Sequence, residues 1–201
     1  MPRKTRKGSR VMSEKDTACA CEYLQDLARL LPLLDAAAIG KAVGWLRDAA
    51  AEGRTVFTCG NGGSAPIASQ MVVDLVKGAS ICSGIRHRAM ALTDNVATVT
   101  AYANDVGYES VFVEPLKNFA APGDVLVAIS GSGNSANVLA AVEYANSAGV
   151  RTIGLTTSSG GRLKDLVQLP LLVPSGHMGR LEDCFFIMTH VLCYACMEKA
   201  D

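Results

Sequence analysis

The sequence predicts a doubly wound α/β fold: a parallel sheet covered by helices on both faces in a three-layer sandwich, entered through an N-terminal helical hairpin. Three observations predict it. Two short apolar runs, Val56-Phe57-Thr58-Cys59 and Asp124 to Ile129, each stop at a Gly/Ser-rich loop and pass at once into a helix-like pattern. Further short apolar runs follow at Thr152 to Leu155 and Leu169 to Val173. Parallel strands need crossover helices, so strands alternating with helices argue for a parallel sheet.

Each element can be justified in order. Residues 1–13 read as a basic tail, with Arg3, Lys4, Arg6, Lys7 and Arg10 and no acid in MPRKTRKGSR. A solvated tail is the expectation and a cationic arm for nucleic acid the alternative. A single domain is expected over residues 14–201. Within residues 14–52, Leu24, Leu27 and Leu31 form one stripe at helical spacing and Ile39, Val43, Leu46 and Ala50 another, with Pro32 between them. This pattern predicts two helices packed as a hairpin. The strand at Val56 is followed by the loop Gly60-Asn61-Gly62-Gly63-Ser64 and a helix to about Lys77. The strand ending at Ile129 is followed by the loop Ser130 to Ser135 and a helix over Ala136 to Ala148. The run Thr152 to Leu155 ends in TTSSGG, and Leu169 to Val173 leads to a last helix from about Met178 to Met197.

Composition narrows the function classes. The chain is 49% hydrophobic and 19% charged, with a formal net charge of zero. That is globular, and nothing global suggests a polyanion as partner. No apolar run is long enough to span a bilayer, and no charged segment leads into a signal-peptide core, so a soluble cytoplasmic protein is expected. The seven cysteines are odd in number and scattered among apolar neighbours. They read as reduced, mostly buried residues, and Cys193-x-x-Cys196, inside an apolar helical segment, reads as packing.

In such a sheet, ligands bind beyond the carboxyl ends of the strands, where strand order reverses. Both loops fall at strand ends and open helices, where unpaired N–H groups and the helix dipole favour an anion. The hydroxyls of Ser64, Ser130, Ser132 and Ser135 add donors, and Gly62 and Gly131 allow close backbone approach. No lysine follows in the arrangement of a nucleoside triphosphatase loop, and no acid lies between Gly78 and Thr93 to hold a ribose. A nucleotide cofactor is therefore not expected. A small phosphorylated metabolite fits. The blander alternative is that Ser130 and Ser135 only turn the chain and cap a helix.

The stretches TCGNGGSAPIASQMVVDL, TDNVATVTAYANDVGYE, GDVLVAISGSGNSANVLAAVEYANSAGVRTIGLTT and GRLEDCFFIMTHVLC resemble, in order and spacing, the motifs of the sugar isomerase (SIS) domain family. The likeness runs from roughly residue 20 to the C-terminus. It is strongest to the members that convert sedoheptulose 7-phosphate to an aldoheptose 7-phosphate. The resemblance implies a flavodoxin-like sheet and a phosphosugar aldose–ketose isomerase without a redox cofactor. It assigns Ser130, Ser132 and Ser135 to the phosphate and Asn61 and Ser64 to the sugar, and it places Asp105 near the substrate. Asp74 and His190 match the family's catalytic carboxylate and histidine. Such isomerisation needs a base to take a proton beside a carbonyl and an acid to move one between oxygens through an enediol. The bland alternative makes His190 a buried core histidine and Asp74 a helix residue bonded to a neighbour.

The family's zinc-binding members use histidine and glutamate one helical turn apart, then glutamine and histidine on the last helix. At the matching positions this chain has Gln70, Asp74, Glu182 and His190. A neutral amide at Gln70 is a poor zinc donor, and the charge of Glu182 is a compensation. Asp74 is one methylene shorter than glutamate, a change in reach of about 1.5 Å. The resemblance also implies a homotetramer with active sites at subunit interfaces. The competing reading is a non-catalytic phosphosugar-binding or regulatory protein, such as the family's replication-initiator-binding homologue. Of the other histidines, His87 is expected to be exposed or at the substrate margin, and His177 to lie near the cleft.

Overall fold

The computed structural model describes residues 13–198. The basic stretch at residues 1–12 lies outside the described residues. Ser13, grouped with the tail by its sequence, instead caps helix α1 (Glu14–Leu30): its hydroxyl accepts from Asp16 N–H at 3.1 Å, while Ser13 N–H donates back to the Asp16 carboxylate. This reciprocal pair satisfies two donors that the helix start would leave open. A short turn at Leu31–Leu33, containing Pro32, leads to α2 (Ala36–Ala51), capped by Asp35 through Ala37 and Ala38 N–H.

The sheet begins with β1 (Thr55–Gly60), followed by α3 (Ser64–Val73). The helix expected to end near Lys77 runs on through a π-helical turn at Asp74–Ala79 and the short α4 (Ser80–Ser83) to Gly84, whose φ of +77° ends it. Within this wider turn Gly78 has a packing reason, since a Cβ there would lie 2.3 Å from Met197 Cε. Next come β2 (Arg88–Ala91), α5 (Val96–Asp105), a tight turn at Tyr108–Ser110 and α6 (Val113–Phe119), none of which the apolar periodicity had marked. The remaining elements are β3 (Val125–Ile129), α7 (Ala136–Ser147), β4 (Arg151–Thr157), α8 (Gly161–Leu166), β5 (Leu169–Val173) and α9 (Met178–Met197).

All five strands are parallel, in the order β2-β1-β3-β4-β5. The chain leaves β1 toward β2 and returns past it to β3, so the order reverses between β1 and β3. Their last residues, Gly60 and Ile129, are in register. The two Gly/Ser loops thus flank the crevice where ligands of such sheets bind.

Helices on both faces explain the unbroken apolar strands. Along β3, Val125, Val127 and Ile129 enter one core with Leu46, Ile67, Met71 and Phe185, while Leu126 and Ala128 enter the other with Phe112, Leu116, Val138 and Val142. Alternate side chains point to opposite faces, so both sets must be apolar. Asp124, buried just before β3, accepts from Thr55 N–H and Ala121 N–H, both at 2.8 Å, and so ties β1 to β3 at the end opposite the crevice. His87 is buried, 7% exposed, where an exposed residue was one expectation; burial lowers its pKa. Cys193 and Cys196 are free and buried, with their thiols raised mainly by burial, as packing residues should be. Among the described residues no helix is long and apolar enough to cross a membrane.

Candidate active site

The β3–α7 loop is held in shape by its own hydroxyls. Ser130 Oγ lies 3.2 Å from Ser135 Oγ and accepts from Gly133 N–H, and Ser132 Oγ accepts from Asn134 N–H. Ser135 is the N-cap residue of α7, yet its side chain makes no capping hydrogen bond. The capping alternative therefore fails for Ser135, and its hydroxyl stays with Ser130 at the loop. The far side of the loop rests on α8: Gly133 C=O accepts from Leu163 N–H at 2.9 Å, and Asn134 Oδ1 accepts from Arg162 N–H. Gly133 has φ +67°, and a Cβ there would lie 1.8 Å from Gly160 O, so only glycine fits. Gly131 faces α9, where a Cβ would meet Met178 Sδ at 2.9 Å.

The β1–α3 loop closes the other side. Ser64 N–H donates to Asn61 C=O and Ala65 N–H to Gly62 C=O, which folds the loop onto the start of α3. Gly62 is exposed and Ser64 is buried beneath it. The Asn61 side chain crosses the crevice. Its Nδ2 donates to Asn137 Oδ1 at 2.8 Å, and its Oδ1 accepts from Asn137 Nδ2 and from Tyr108 Oη, both at 2.9 Å. Sequence reasoning missed Asn137 and Tyr108. The only signal was a second asparagine two residues past the serine loop, in a helix turn that must be buried and whose amide must find a partner.

Asp74 and His190 come together from the two helices packed on one face. Asp74 Oδ2 is 3.7 Å from His190 Nε2, and among the described residues this buried oxygen has no hydrogen-bond partner. The His190 ring is flanked on α9 by Phe186 and Tyr194, with centroids 6.1 Å away on each side. Residues four apart share a helix face, so these two aromatics border the imidazole on either side along α9. His190 is half exposed, not the core histidine of the bland reading.

Gln70 joins this pair, but as a donor: its Nε2 gives a hydrogen to Asp74 Oδ1 at 3.1 Å. Glu182 is elsewhere. Its carboxylate lies against Gly63, where a Cβ would be 2.2 Å from Oε1, and the eight residues separating it from His190 span about 12 Å of helix. The set Gln70, Asp74, Glu182 and His190 is therefore not assembled around one point. Among the described residues no group of three or more His, Cys, Asp or Glu side chains could hold a metal ion. Two strong donors and an amide that presents its nitrogen do not fit tetrahedral zinc.

Asp105 is exposed at the end of α5, where it accepts from Asn104 Nδ2 at 2.7 Å. It lines a groove of about 1160 Å³ beside the edge strand β2, with Asp94 and Tyr102. His177 is the N-cap of α9, and its Nδ1 accepts from Arg180 N–H at 3.3 Å. Its ring meets that of Tyr23 edge-on, and Tyr23 Oη donates to Asp183 at 2.6 Å. His177 is thus engaged between α1 and α9, one residue before the Met178 that abuts the serine loop.

Known proteins resemble this chain in sequence and fold. The model of the SIS domain matches residues 22–157. A phosphoheptose isomerase from Rhodospirillum rubrum is 40% identical over 158 residues, which cover 79% of this chain and 84% of that protein. The solved phosphoheptose isomerase of Francisella tularensis superposes with a TM-score of 0.81 at 29% identity, covering 94% of this chain and all of that one. The Neisseria gonorrhoeae phosphoheptose isomerase gives a TM-score of 0.79 at 28% identity over 91% of this chain and 97% of that one. A parallel sheet in the order β2-β1-β3-β4-β5, with its two Gly/Ser loops at the switch point and relatives matched over most of the fold, leaves one conclusion: the chain belongs to the SIS domain family.

Proposed function

We propose that the protein is a phosphosugar isomerase that interconverts a ketose phosphate and its aldose phosphate, with sedoheptulose 7-phosphate or a similar long-chain sugar phosphate as substrate. The observation that carries this reading is the Asp74–His190 pair, formed between the two helices whose first turns lie at the loops of the switch point. Ser130, Ser132 and Ser135, with the start of α7, take the phosphate; Asn61, Ser64 and Asp105 take the sugar. Asp74, whose Oδ2 accepts no hydrogen bond among the described residues, is the base that removes the C1 proton of the ketose. His190 moves a proton to the carbonyl oxygen, giving the enediol. Return of a proton to C2 and loss of one from O1 complete the aldose, so no proton is gained or lost overall. Active sites without ligand often hold such pairs at loose distances that tighten on binding. A purely regulatory phosphosugar binder would not need this pair.

The reaction proceeds on this reading without a resident zinc ion, because Gln70 occupies Asp74 Oδ1 directly. The protein acts as a homotetramer in the cytoplasm. Val73, Val76 and Ile81 on the helix that carries Asp74, and Val191 and Tyr194 beside His190 on α9, are exposed apolar residues, and a neighbouring copy seated on them would complete the pocket. The free cysteines suit a reducing compartment.

The test is incubation with sedoheptulose 7-phosphate in deuterated water, followed by NMR. Aldose carrying deuterium at C2 supports the enediol route. Saturable binding without turnover points to a sensor or to a different sugar as substrate.

A further inference from the structure

We propose that Asn137 is the positioning residue of the sugar site: it locks the Asn61 side-chain amide so that Asn61 offers a single N–H, and no acceptor, to a substrate oxygen. The inference rests on the reading of Asn61 as a sugar-binding residue.

The orientation of the two amides is set by the backbone. Asn137 lies in the first turn of α7, and its Oδ1 accepts from the N–H of Val138 at 2.9 Å. A main-chain N–H can only donate, so Oδ1 must face it and Nδ2 must point away. Nδ2 then meets Asn61 and requires an acceptor, which is Asn61 Oδ1 at 2.9 Å. The Tyr108 hydroxyl donates to that same oxygen. With both of its lone pairs taken, Asn61 Oδ1 has nothing left for a ligand. Asn61 Nδ2 spends one hydrogen on Asn137 Oδ1 and keeps one. A helix N–H thus dictates the first amide, the first dictates the second, and the remaining hydrogen is the one polar group that Asn61 can give to the crevice.

Burial makes the lock costly to break. Asn137 is 2% exposed, so an unpaired amide there would have no water to turn to. A freely rotating amide would present oxygen and nitrogen with equal ease, and an amide oxygen facing a phosphate or hydroxylate oxygen repels it. The lock selects against that orientation before substrate arrives.

The experiment is a double-mutant cycle of Asn61→Ala and Asn137→Ala. Turnover and binding of sedoheptulose 7-phosphate are both measured, alongside the side-chain amide NMR signal of Asn61 in ligand-free protein. Each single variant is expected to lower kcat/KM by about 10- to 100-fold, mainly through KM, and the double variant to be no worse than Asn61→Ala alone. Asn137→Gln, which keeps the amide chemistry, should restore part of the loss. In Asn137→Ala the Asn61 amide hydrogens should exchange faster with solvent. Multiplying losses in the double variant, or an Asn61 amide whose exchange is unchanged by Asn137→Ala, would overturn the proposal. If wild-type protein binds but does not turn over the sugar, the reading of sedoheptulose 7-phosphate as substrate fails and the cycle is read from Kd. If it does not bind, the substrate reading fails and the Asn61 exchange rate alone decides.

Discussion

The imidazole of His190 on α9 stands 3.7 Å from the carboxylate of Asp74, at the point where the helix after β1 widens into its π-helical turn. The two residues are far apart in sequence and meet because α9 packs along that helix in the core that also holds Met71, Leu75, Phe185 and Met188. The carboxylate is mostly buried and the imidazole half exposed, so the pair is open to solvent from the His190 side.

Replacing Asp74 by Asn keeps the shape and removes the base. Turnover should fall by about 10²- to 10⁴-fold while phosphosugar affinity changes by less than about threefold. Steady-state kinetics and calorimetric titration on the same preparation separate the two. His190→Ala should lose turnover on the same scale, and in Asp74→Asn solvent deuterium should no longer enter the recovered ketose.

Gln70 predicts a response to metal. Because its Nε2 donates to Asp74 Oδ1, the protein as purified should carry far less than one zinc per chain by elemental analysis, and a chelator should leave kcat/KM unchanged. The double change Gln70→His and Asp74→Glu replaces the amide with a strong nitrogen donor and lengthens the carboxylate. It should raise zinc uptake in the same assay.

Gly133→Ala should unfold the β3–α7 loop. The residue would have to hold φ near +67° with its Cβ 1.8 Å from a main-chain oxygen, which cannot swing aside as a side chain can. A loss of about 2–4 kcal/mol in urea-induced unfolding is expected, with weaker phosphosugar binding in what remains folded.

His87 predicts a pH effect. Burial lowers its folded-state pKa below the ordinary 6.5, so below that pH the unfolded chain binds the extra proton first. Stability contributed by the neutral, buried ring is present above about pH 6.5 and is lost as the pH falls toward the lowered folded value. Urea midpoints measured from about pH 7.5 to about pH 5.5 should fall in the wild type, and His87→Gln should flatten that slope.

Much of the fold was legible because parallel strands covered on both faces must be continuously apolar. Val125 to Ile129 and Leu169 to Val173 stand out for that reason. The Ser130 to Ser135 loop was legible because glycine and hydroxyl residues at a strand end have few other uses. The edge strand β2 was not: Arg88 and Met90 are exposed, so its run Arg88–Ala91 lacks the apolar continuity of a central strand. The resemblance supplied Asp74 and His190, which the structure brings together. It also grouped Glu182 with them, but side-chain direction set by packing placed that carboxylate against Gly63. Asn137 escaped notice because its partner is 76 residues away, and pairing at such distance leaves no local pattern.

The widened turn at Asp74–Ala79 has one more consequence. A π turn is what an α-helix becomes when an extra residue enters while both flanks are held in place. Here the flanks are Asp74 on one side and Ser80 on the other, whose hydroxyl accepts from His87 N–H at 3.0 Å. A chain one residue shorter between Leu75 and Ala79 could therefore relax to ordinary helix with both flanks unmoved. A related chain that lacked this residue would keep its carboxylate in place, and an alignment that forced equal lengths through the turn would then misplace every residue up to the next strand.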